Sequence, residues 1–264
     1  MLIVGELINS SRKAIAAAIE AQDQDAIQKV AKDQVDAGAN FLDVNAGIFH
    51  GTEAEYLRWL VTTVQSTVDC PCCIDSPDPK AIETALAVHN GTAMINSISL
   101  EKDRYDTLLP LVAGTDLKVV ALCMSDEGMP KTSDDRLAIA DKLINGLVQK
   151  NVSIDNIYVD PLVQSICTDI LFGVEFVNAI EQIVARFDGV HTLCGLSNIS
   201  FGLPNRLFLN QTFMSMAIAK GLDGAIVNPL DKKMMANIVT AEALAGKDEY
   251  CMKYLETYRA GLIV

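Results

Sequence analysis

Basic residues are scarce in this sequence. It has 21 lysines and arginines against 34 aspartates and glutamates, which gives a formal net charge of −13. A nucleic-acid-binding surface needs lysine and arginine to displace counterions from the phosphate backbone. The acidic balance therefore excludes DNA and RNA as expected partners.

Membrane and export signals are lacking too. No apolar run reaches the ~18 residues that a membrane-spanning helix needs. Residues 1–4 run straight into a strand-like segment, without a basic leader or a small-residue cleavage site. We therefore expect a cytoplasmic protein that does not contact a membrane.

Metal-ligand patterns are also missing. The tight cysteine group at residues 70–73 has no second Cys or His pair at zinc spacing. The three histidines, His50, His89 and His191, do not form a ligand set. Most of the seven cysteines lie in apolar, strand-like runs, where a thiol behaves as a small hydrophobe: Cys72, Cys73, Cys123 and Cys194. We expect buried, reduced thiols and no metal bound by this chain.

The sequence does contain a regular alternation of short apolar runs and longer segments of helical period, which is typical of βαβ units around a parallel sheet. The strand-like runs are residues 2–9, 41–47, 71–76, 93–98, 118–124, 157–162, 191–199 and 224–230. The helical segments are residues 10–37, 53–67, 79–88, 101–113, 134–149, 172–187, 205–220 and 232–244. Eight such repeats in 264 residues predict one (β/α)8 TIM-barrel domain, residues 1–264, of the α/β class. The alternative, a doubly wound sheet, has no GxGxxG or GxxxxGK[ST] motif to support it.

A ninth helical segment, residues 248–260, predicts an extra C-terminal helix. It carries Tyr250, Tyr254 and Tyr258 at a spacing that places them on one helical face. Such a stripe packs against the barrel or against a second subunit.

Seven of the eight predicted strands carry polar side chains near their C-terminal ends, where the active site of a TIM barrel lies. These residues are Glu6, Asn9, Asp43, Asn45, Asp75, Ser76, Asn96, Ser97, Asp160, Ser197, Asn198 and Asn228. Any one of them is equally explained as an Asx turn or a helix N-cap. Their recurrence on seven strands favours a shared site.

The side-chain types in this set are mainly carboxylates and carboxamides, with no evident covalent nucleophile. Asparagine offers a donor and an acceptor side by side, and a carboxylate accepts two hydrogen bonds. The set therefore suits a flat heterocycle with N–H and C=O groups along its edge. A pterin is such a heterocycle.

Seven motifs follow one another along the chain: GELIN (5–9), DVNAG (43–47), CIDSPD (73–78), MINS (94–97), YVDPL (158–162), GLSNIS (195–200) and NRLFLNQTF (205–213). They resemble the methyltetrahydrofolate:corrinoid methyltransferases of the pterin-binding TIM-barrel superfamily, which includes dihydropteroate synthase and the folate domain of methionine synthase. The resemblance covers essentially the whole chain. It implies an enzyme that exchanges the N5-methyl group between methyltetrahydrofolate or tetrahydrofolate and the cobalt of a corrinoid (cobalamin).

The resemblance also implies roles for individual residues. The family residues that hold the pterin match Asp75, Asn96 and Asp160, and the asparagine that approaches N5 matches Asn198. We expect Asn198 and Asp160 to act in catalysis. The expected folate-binding residues are Glu6, Asn9, Asp43, Asp75, Asn96, Asp160, Asn198 and Arg206. One departure is Phe201, which stands where the family has a glutamine, so that N5 has fewer polar neighbours.

Proteins that bind a corrinoid through a histidine ligand carry a motif that resembles DxHxxG, and none of the three histidines lies in such a motif. The expected partner is therefore a separate corrinoid protein. The resemblance and the tyrosine stripe together predict a homodimer. The direction of methyl transfer stays open. One alternative is a dihydropteroate synthase-like enzyme, but near the strand ends only Arg206 offers a charge for a diphosphate, with Lys220 and Arg136 more distant. The other alternative is a non-catalytic folate-binding component of a methyl-transfer complex.

Overall fold

A computed structural model describes residues 1–263, and a closed parallel sheet forms its centre. The strands are β1 (Leu2–Asn9), β2 (Phe41–Asn45), β3 (Cys72–Asp75), β4 (Met94–Leu100), β5 (Lys118–Ser125), β6 (Ile157–Asp160), β7 (His191–Thr192) and β8 (Gly224–Val227). Their order in the sheet is β7-β6-β5-β4-β3-β2-β1-β8. A bridge between Gly195 and Ile226 joins the two ends, and the Ile226 amide donates to the Cys194 carbonyl over 2.9 Å. The predicted (β/α)8 barrel is thereby confirmed.

Helices follow the strands and cover the outside of the barrel. They are α1 (Lys13–Glu20), α2 (Gln24–Asp36), α3 (Glu53–Gln65), α4 (Pro79–Leu86), α5 (Lys102–Val112), α6 (Ser133–Gln149), α7 (Phe172–Arg186), α8 (Arg206–Ala219), α9 (Lys232–Leu244) and α10 (Met252–Arg259). Within residues 1–263, no helix has the length and apolar character needed to cross a membrane.

The prediction of one helix over residues 10–37 is wrong, because the segment forms both α1 and α2. Gln22 adopts a left-handed φ of 50° between them. Asp23 then caps α2, since its side chain accepts a hydrogen bond of 3.1 Å from the Ala26 amide. An N-cap aspartate starts a new helix even where the helical period of the sequence continues.

The seventh strand is shorter than the predicted run at residues 191–199. Only His191–Thr192 form a regular strand, and Leu196–Ser200 form a 3-10 helix. Leu193 still follows the barrel wall, because its amide donates to the Val159 carbonyl over 2.9 Å. Asn198 therefore lies on a turn at the barrel mouth and not on a strand.

The extra C-terminal helix is confirmed, but its start was predicted too early. Glu249–Cys251 form a 3-10 turn in which Tyr250 has a φ of 54°, and α10 begins at Met252. Tyr250 therefore does not share a helical face with Tyr254 and Tyr258. The prediction of one continuous tyrosine stripe is wrong.

Apolar side chains fill the barrel and the layer around it. One buried cluster lies inside the barrel: Val4, Phe41, Cys73, Met94, Val120, Tyr158 and Leu193. Two other clusters pack between the strands and the helices. The predicted burial of the strand cysteines Cys72, Cys73, Cys123 and Cys194 is confirmed.

Candidate functional site

The interior of the barrel changes from apolar to polar along most strands. Side chains alternate along a strand, so the residue two positions beyond an inward-facing one also faces inward. Applied to the apolar cluster inside the barrel, this rule places six polar residues directly above it, at the C-terminal strand ends. We call them the polar layer: Glu6, Asp43, Asp75, Asn96, Asp160 and Asn228. Leu122 and Gly195 hold the two remaining positions.

Strand register brings several of these side chains to one height. Asn45 pairs with Asp75, and Asp75 pairs with Asn96, across β2, β3 and β4. On the far side, Asp160 of β6 pairs with Leu122 of β5. Neighbouring strands lie about 4.8 Å apart. A planar molecule of two fused rings can therefore contact side chains from several strands at once.

A cleft of about 1090 Å³ opens over β3, β4 and β5. Asp75, Asn96 and Ser97 line its inner end, and Leu122 and Met124 form an apolar wall. The cleft thus brings together two of the predicted pterin-binding residues. Among the described residues, Asp160 and Asn198 do not line this cleft.

Asp75 accepts a hydrogen bond of 2.9 Å at Oδ2 from the amide nitrogen of Asn45. Burial raises the pKa of Asp75 to about 6, while the Asn45 amide and the charge of Arg104 favour its ionised form. Asp75 is therefore mostly ionised at neutral pH and able to accept further hydrogen bonds.

Asp43 and Asp160 are the most buried carboxyl groups of the polar layer, at 2% and 8% exposure. Burial, followed by the nearby Asp75, raises the pKa of Asp43 well above its usual range. Burial also raises the pKa of Asp160 to about 7, although the Leu162 amide donates to its Oδ1 over 2.8 Å. The carboxyl groups of the layer thus differ in pKa, and Asp43 Oδ1 has no hydrogen-bond partner within residues 1–263.

Asn198 lies on the 3-10 turn after β7, and its side chain is exposed. Arg206, at the start of α8, donates to the Ser197 carbonyl over 2.5 Å and to Ser200 Oγ over 3.0 Å. Its guanidinium also lies 5.9 Å from the centre of the Phe201 ring. Arg206 therefore supports the turn that carries Asn198.

Glu6 and Asn9 lie on β1, which is next to β2 and β8 in the barrel. Glu6 pairs with Arg12 over 2.6 Å, and both line a small hollow of about 160 Å³ with Ser197 and Asn228. Burial raises the pKa of Glu6, while Arg12 lowers it. The Asn9 side chain closes a local turn, since its Oδ1 accepts from the Ser11 amide and hydroxyl over 3.0 and 2.7 Å.

The prediction that only Arg206 is a cation near the strand ends is wrong. Arg104, in the first turn of α5, donates to the carbonyls of Ser97, Pro77 and Ser76 over 2.6, 2.7 and 2.9 Å. It thereby ties the loop after β3 to strand β4. The signal that identifies Arg104 is its place in the first turn after a barrel strand, which always lies at the mouth.

Arg136 also lies closer to the mouth than its place in the sequence suggested. It is fully buried at the start of α6, and its Nε donates to the Pro161 carbonyl over 2.8 Å, directly beyond Asp160. Asn45 belongs to the polar residues noted at the strand ends, but the sequence alone does not show that its amide serves Asp75. Arg136 and Asn45 therefore support other residues of the site.

Together these features define an α/β-barrel enzyme site in which a flat, polar ligand would meet a layer of carboxylates and amides at the strand ends. The sequence profile described as "Pterin binding enzyme" matches residues 5–228. The chain belongs to this family of pterin binding enzymes, as its motifs predicted.

Two relatives of known name are similar in sequence. The methylcorrinoid:tetrahydrofolate methyltransferase of Eubacterium limosum is 35% identical over 265 residues, which cover 100% of this chain and 98% of that protein. The methionine synthase of Mycobacterium tuberculosis is 31% identical over 241 residues, which cover 86% of this chain but 20% of that protein. The chain thus has the length of the first relative and spans about one fifth of the second.

Solved structures show the same fold. A dihydropteroate synthase from Coxiella burnetii in complex with pteroic acid has a TM-score of 0.71 at 20% identity, covering 92% of this chain and 93% of that one. The dihydropteroate synthase of Yersinia pestis with a pterine-sulfa conjugate has a TM-score of 0.70 at 16% identity, covering 93% and 94%. At this identity the similarity is one of fold.

Proposed function

We propose that this chain is a methyltransferase that moves a methyl group between a methylcorrinoid and N5 of tetrahydrofolate. The observation that carries the proposal is the polar layer, which sets four carboxyl groups and two amides above an apolar floor at the barrel mouth. The name of the relative with the same length and 35% identity supports this pair of substrates.

In this proposal the pterin ring lies against Asp75, Asn96 and Asp160. A carboxylate accepts from two adjacent N–H groups, and the Asn96 amide both donates and accepts, which matches the mixed edge of a pterin. The apolar wall of Leu122 and Met124 suits the flat face of the ring. Glu6, Asp43 and Arg206 then act around the ring, Asp43 as a buried group below it and Arg206 through the turn that it supports.

The transfer needs a protein group that hydrogen-bonds to N5 while the charge on N5 changes. When N5 accepts the methyl group, a nitrogen–carbon bond forms, the cobalt–carbon bond breaks with its electron pair left on cobalt, and N5 gives up its proton. In the reverse direction, N5 must gain a proton or a hydrogen bond as the methyl group leaves. Asn198, exposed on its turn at the mouth, acts by hydrogen bonding to N5 or to a water beside it, and such a donor strengthens in the transition state.

The corrinoid arrives on a separate protein in this account. The loops after β6 and β7 and the first turn of α8 expose five large apolar side chains at the mouth, which we call the rim patch: Ile170, Leu171, Phe201, Leu207 and Phe208. The two loops are joined, because Ser165 Oγ donates to the Phe201 carbonyl over 2.6 Å. An exposed apolar patch beside a polar site marks a contact surface for a partner. The rim patch is suited to the apolar surface around a protein-bound corrin ring.

A homodimer is part of the proposal as well. Large apolar side chains are exposed along the C-terminal segment, namely Leu244, Tyr250, Met252, Leu255, Tyr258 and Leu262. Residues of this kind lose solvent contact in a symmetric interface formed by the same surface of two copies. The segment lies after α9, apart from the rim patch, so that a dimer leaves the mouth open.

The alternative of a dihydropteroate synthase-like reaction needs free cations for a diphosphate. Arg104 and Arg206 are present at the mouth, but their guanidinium groups are engaged by carbonyl and hydroxyl oxygens of the chain itself. Transfer to tetrahydrofolate requires no such site. Lys80 and Lys102 also line the cleft, so the cations do not decide between the two reactions, and the sequence similarity to the methyltransferase favours methyl transfer.

The test is a direct transfer assay under anaerobic conditions with carbon-13 methylcobalamin, tetrahydrofolate and the purified protein. We expect the labelled methyl group to appear on N5 in carbon-13 NMR, while the cobalt spectrum changes to that of Co(I). The reverse reaction, from methyltetrahydrofolate to Co(I) cobalamin, measures the direction. Tight tetrahydrofolate binding without transfer in either direction would leave the non-catalytic folate-binding role. Formation of dihydropteroate would point to the synthase reaction instead.

A further inference from the structure

Asn45 lies in the centre of a hydrogen-bond network at the mouth. Its Oδ1 accepts from Ser10 Oγ over 2.8 Å and from the Gly47 amide over 3.0 Å. Its Nδ2 donates to Asp75 Oδ2 over 2.9 Å and approaches the Asp75 carbonyl at 3.4 Å. The side-chain hydrogen-bonding capacity of Asn45 is thus used within the protein. This residue is not free to bind a ligand.

The network fixes the orientation of the Asn45 amide. The Gly47 amide can only donate, so the atom of Asn45 that faces it is the oxygen Oδ1, which also accepts from the Ser10 hydroxyl. The Ile48 amide donates to Ser10 Oγ over 3.3 Å, which uses a lone pair and leaves the Ser10 hydrogen for Asn45. A flipped amide would set the Gly47 N–H against the Asn45 nitrogen and the Asn45 oxygen against the Asp75 carboxylate. The NH2 group must therefore face Asp75.

We propose that Asn45 is a positioning residue that keeps the Asp75 carboxylate ionised and oriented toward the pterin. The Ser10 hydroxyl fixes the orientation of the Asn45 amide. The inference rests on the function proposed above. With Oδ2 of Asp75 engaged by Asn45, Oδ1 remains for the N–H groups of the ligand. Asn45 thus acts on the substrate through Asp75 and does not touch it.

Several charged groups surround Asp75, and Asn45 acts against most of them. Asp43 on β2 and Glu53 on α3 are acidic neighbours, whereas Arg104 on α5 is the opposing cation. Burial favours the protonated form of Asp75, and the Asn45 hydrogen bond favours the ionised form. We therefore expect loss of that bond to raise the pKa of Asp75 above its value of about 6.

The experiment compares the wild type with Asn45→Ala and Ser10→Ala. Carbon-13 NMR follows the titration of aspartate carboxyls, with the Asp75 signal assigned from an Asp75→Asn variant. Calorimetry gives the Kd for tetrahydrofolate at pH 6.5 and pH 8.5. The matched control is Asn237→Ala, since Asn237 also bridges two elements with its amide, donating to the Gln211 carbonyl over 2.5 Å, but lies between α8 and α9.

We expect Asn45→Ala to move the Asp75 titration upward by about one pH unit or more. The ratio of Kd at pH 6.5 to Kd at pH 8.5 should rise in the same variant by about threefold or more, since a larger fraction of Asp75 is protonated at the lower pH. Ser10→Ala should shift both in the same direction by a smaller amount, and it serves alone if Asn45→Ala does not fold. Asn237→Ala should change only the melting temperature.

An Asp75 titration that is unchanged in Asn45→Ala or Ser10→Ala would overturn the inference and leave the proposed function intact. A wild type that does not bind tetrahydrofolate at any pH between 6 and 9 would instead remove the proposed function. The carboxyl titration still tests the contact between Asn45 and Asp75 in that case.

Discussion

Arg206 donates a hydrogen bond of 2.5 Å to the carbonyl oxygen of Ser197, and this contact supports the turn on which Asn198 lies. The turn is tight, because a β carbon at Gly195 would lie 3.4 Å from the Asn198 Nδ2 atom. The Asn198 amide is thus folded over Gly195. Its position at the mouth depends on the support that Arg206 gives from outside.

Replacement of Arg206 should therefore affect turnover more than folding. Lysine keeps the charge but cannot donate through two nitrogens in a fixed fork. We expect Arg206→Lys to lower kcat/KM for methyl transfer by about tenfold, with a smaller change in the Kd for tetrahydrofolate. Stopped-flow measurement of the cobalt spectrum gives kcat/KM, and calorimetry gives the Kd. Wild-type turnover in this variant would show that the turn holds Asn198 without the guanidinium.

Asn198 itself should act mainly in the transition state. Asn198→Ala should lower kcat/KM by about 10²-fold or more, while the Kd for tetrahydrofolate changes much less. If Asn198 is only a loop-capping residue, the variant instead loses thermal stability and keeps normal turnover in its folded fraction. Melting curves recorded beside the assay distinguish these outcomes.

Asp160 gives the stability of the free protein a defined pH dependence. Burial raises its pKa to about 7, so the folded state retains a proton that the unfolded chain releases at lower pH. The favourable contribution of this group is therefore complete below about pH 4 and is lost as the pH rises through about 7.

Asp160→Asn removes the buried charge and keeps an oxygen that can accept from the Leu162 amide. The variant should exceed the unfolding free energy of the wild type by about 1.5 kcal/mol at pH 5 and by about 4 kcal/mol at pH 8, at 1.36 kcal/mol per pKa unit. Urea unfolding at the two pH values measures this. Equal unfolding free energies of the two proteins at pH 8 would show that burial does not disfavour the ionised form of Asp160. Tetrahydrofolate binding should be weakened in the variant at either pH.

The C-terminal segment should carry the contact between two copies. We expect light scattering of the wild type to give twice the mass of one chain. A double variant, Leu255→Ser with Tyr258→Ser, should shift this toward one chain, because it removes two apolar side chains from an exposed segment without opening the barrel core. A wild type that scatters as a single chain at micromolar concentration would contradict the dimer.

The fold could be predicted because the strand pattern and the polar strand ends both repeat eight or nearly eight times. The breaks in that pattern could not. The sequence predicts one helix in place of α1 and α2, because the apolar period continues across Gln22 and Asp23. Only the N-cap at Asp23 marks the boundary between the two helices. The turn at Leu196–Ser200 reads as strand in the sequence, since its apolar residues are buried in either conformation.

The positions of the candidate site residues could be predicted from the sequence, whereas their contacts could not. Glu6, Asp43, Asp75, Asn96 and Asp160 all belong to the polar layer, as their strand positions indicated. The supporting contacts of Asn45, Arg104 and Arg136 join residues 25 to 30 positions apart in sequence, and such pairs follow only from the closed barrel. Asn9 is one of the predicted folate-binding residues, and this role stays a prediction. In the structure its Oδ1 is engaged in a local turn.

The account as a whole depends on the polar layer being the folate site, and Asn96 tests this most directly. It lies in register with Asp75 and lines the cleft, and its replacement by alanine adds no charge. Calorimetry under anaerobic conditions would compare tetrahydrofolate binding to the wild type, Asn96→Ala and the control Asn237→Ala. We predict that Asn96→Ala weakens binding by about tenfold or more while the control binds as the wild type does. A folded Asn96→Ala protein with the wild-type Kd would contradict the account.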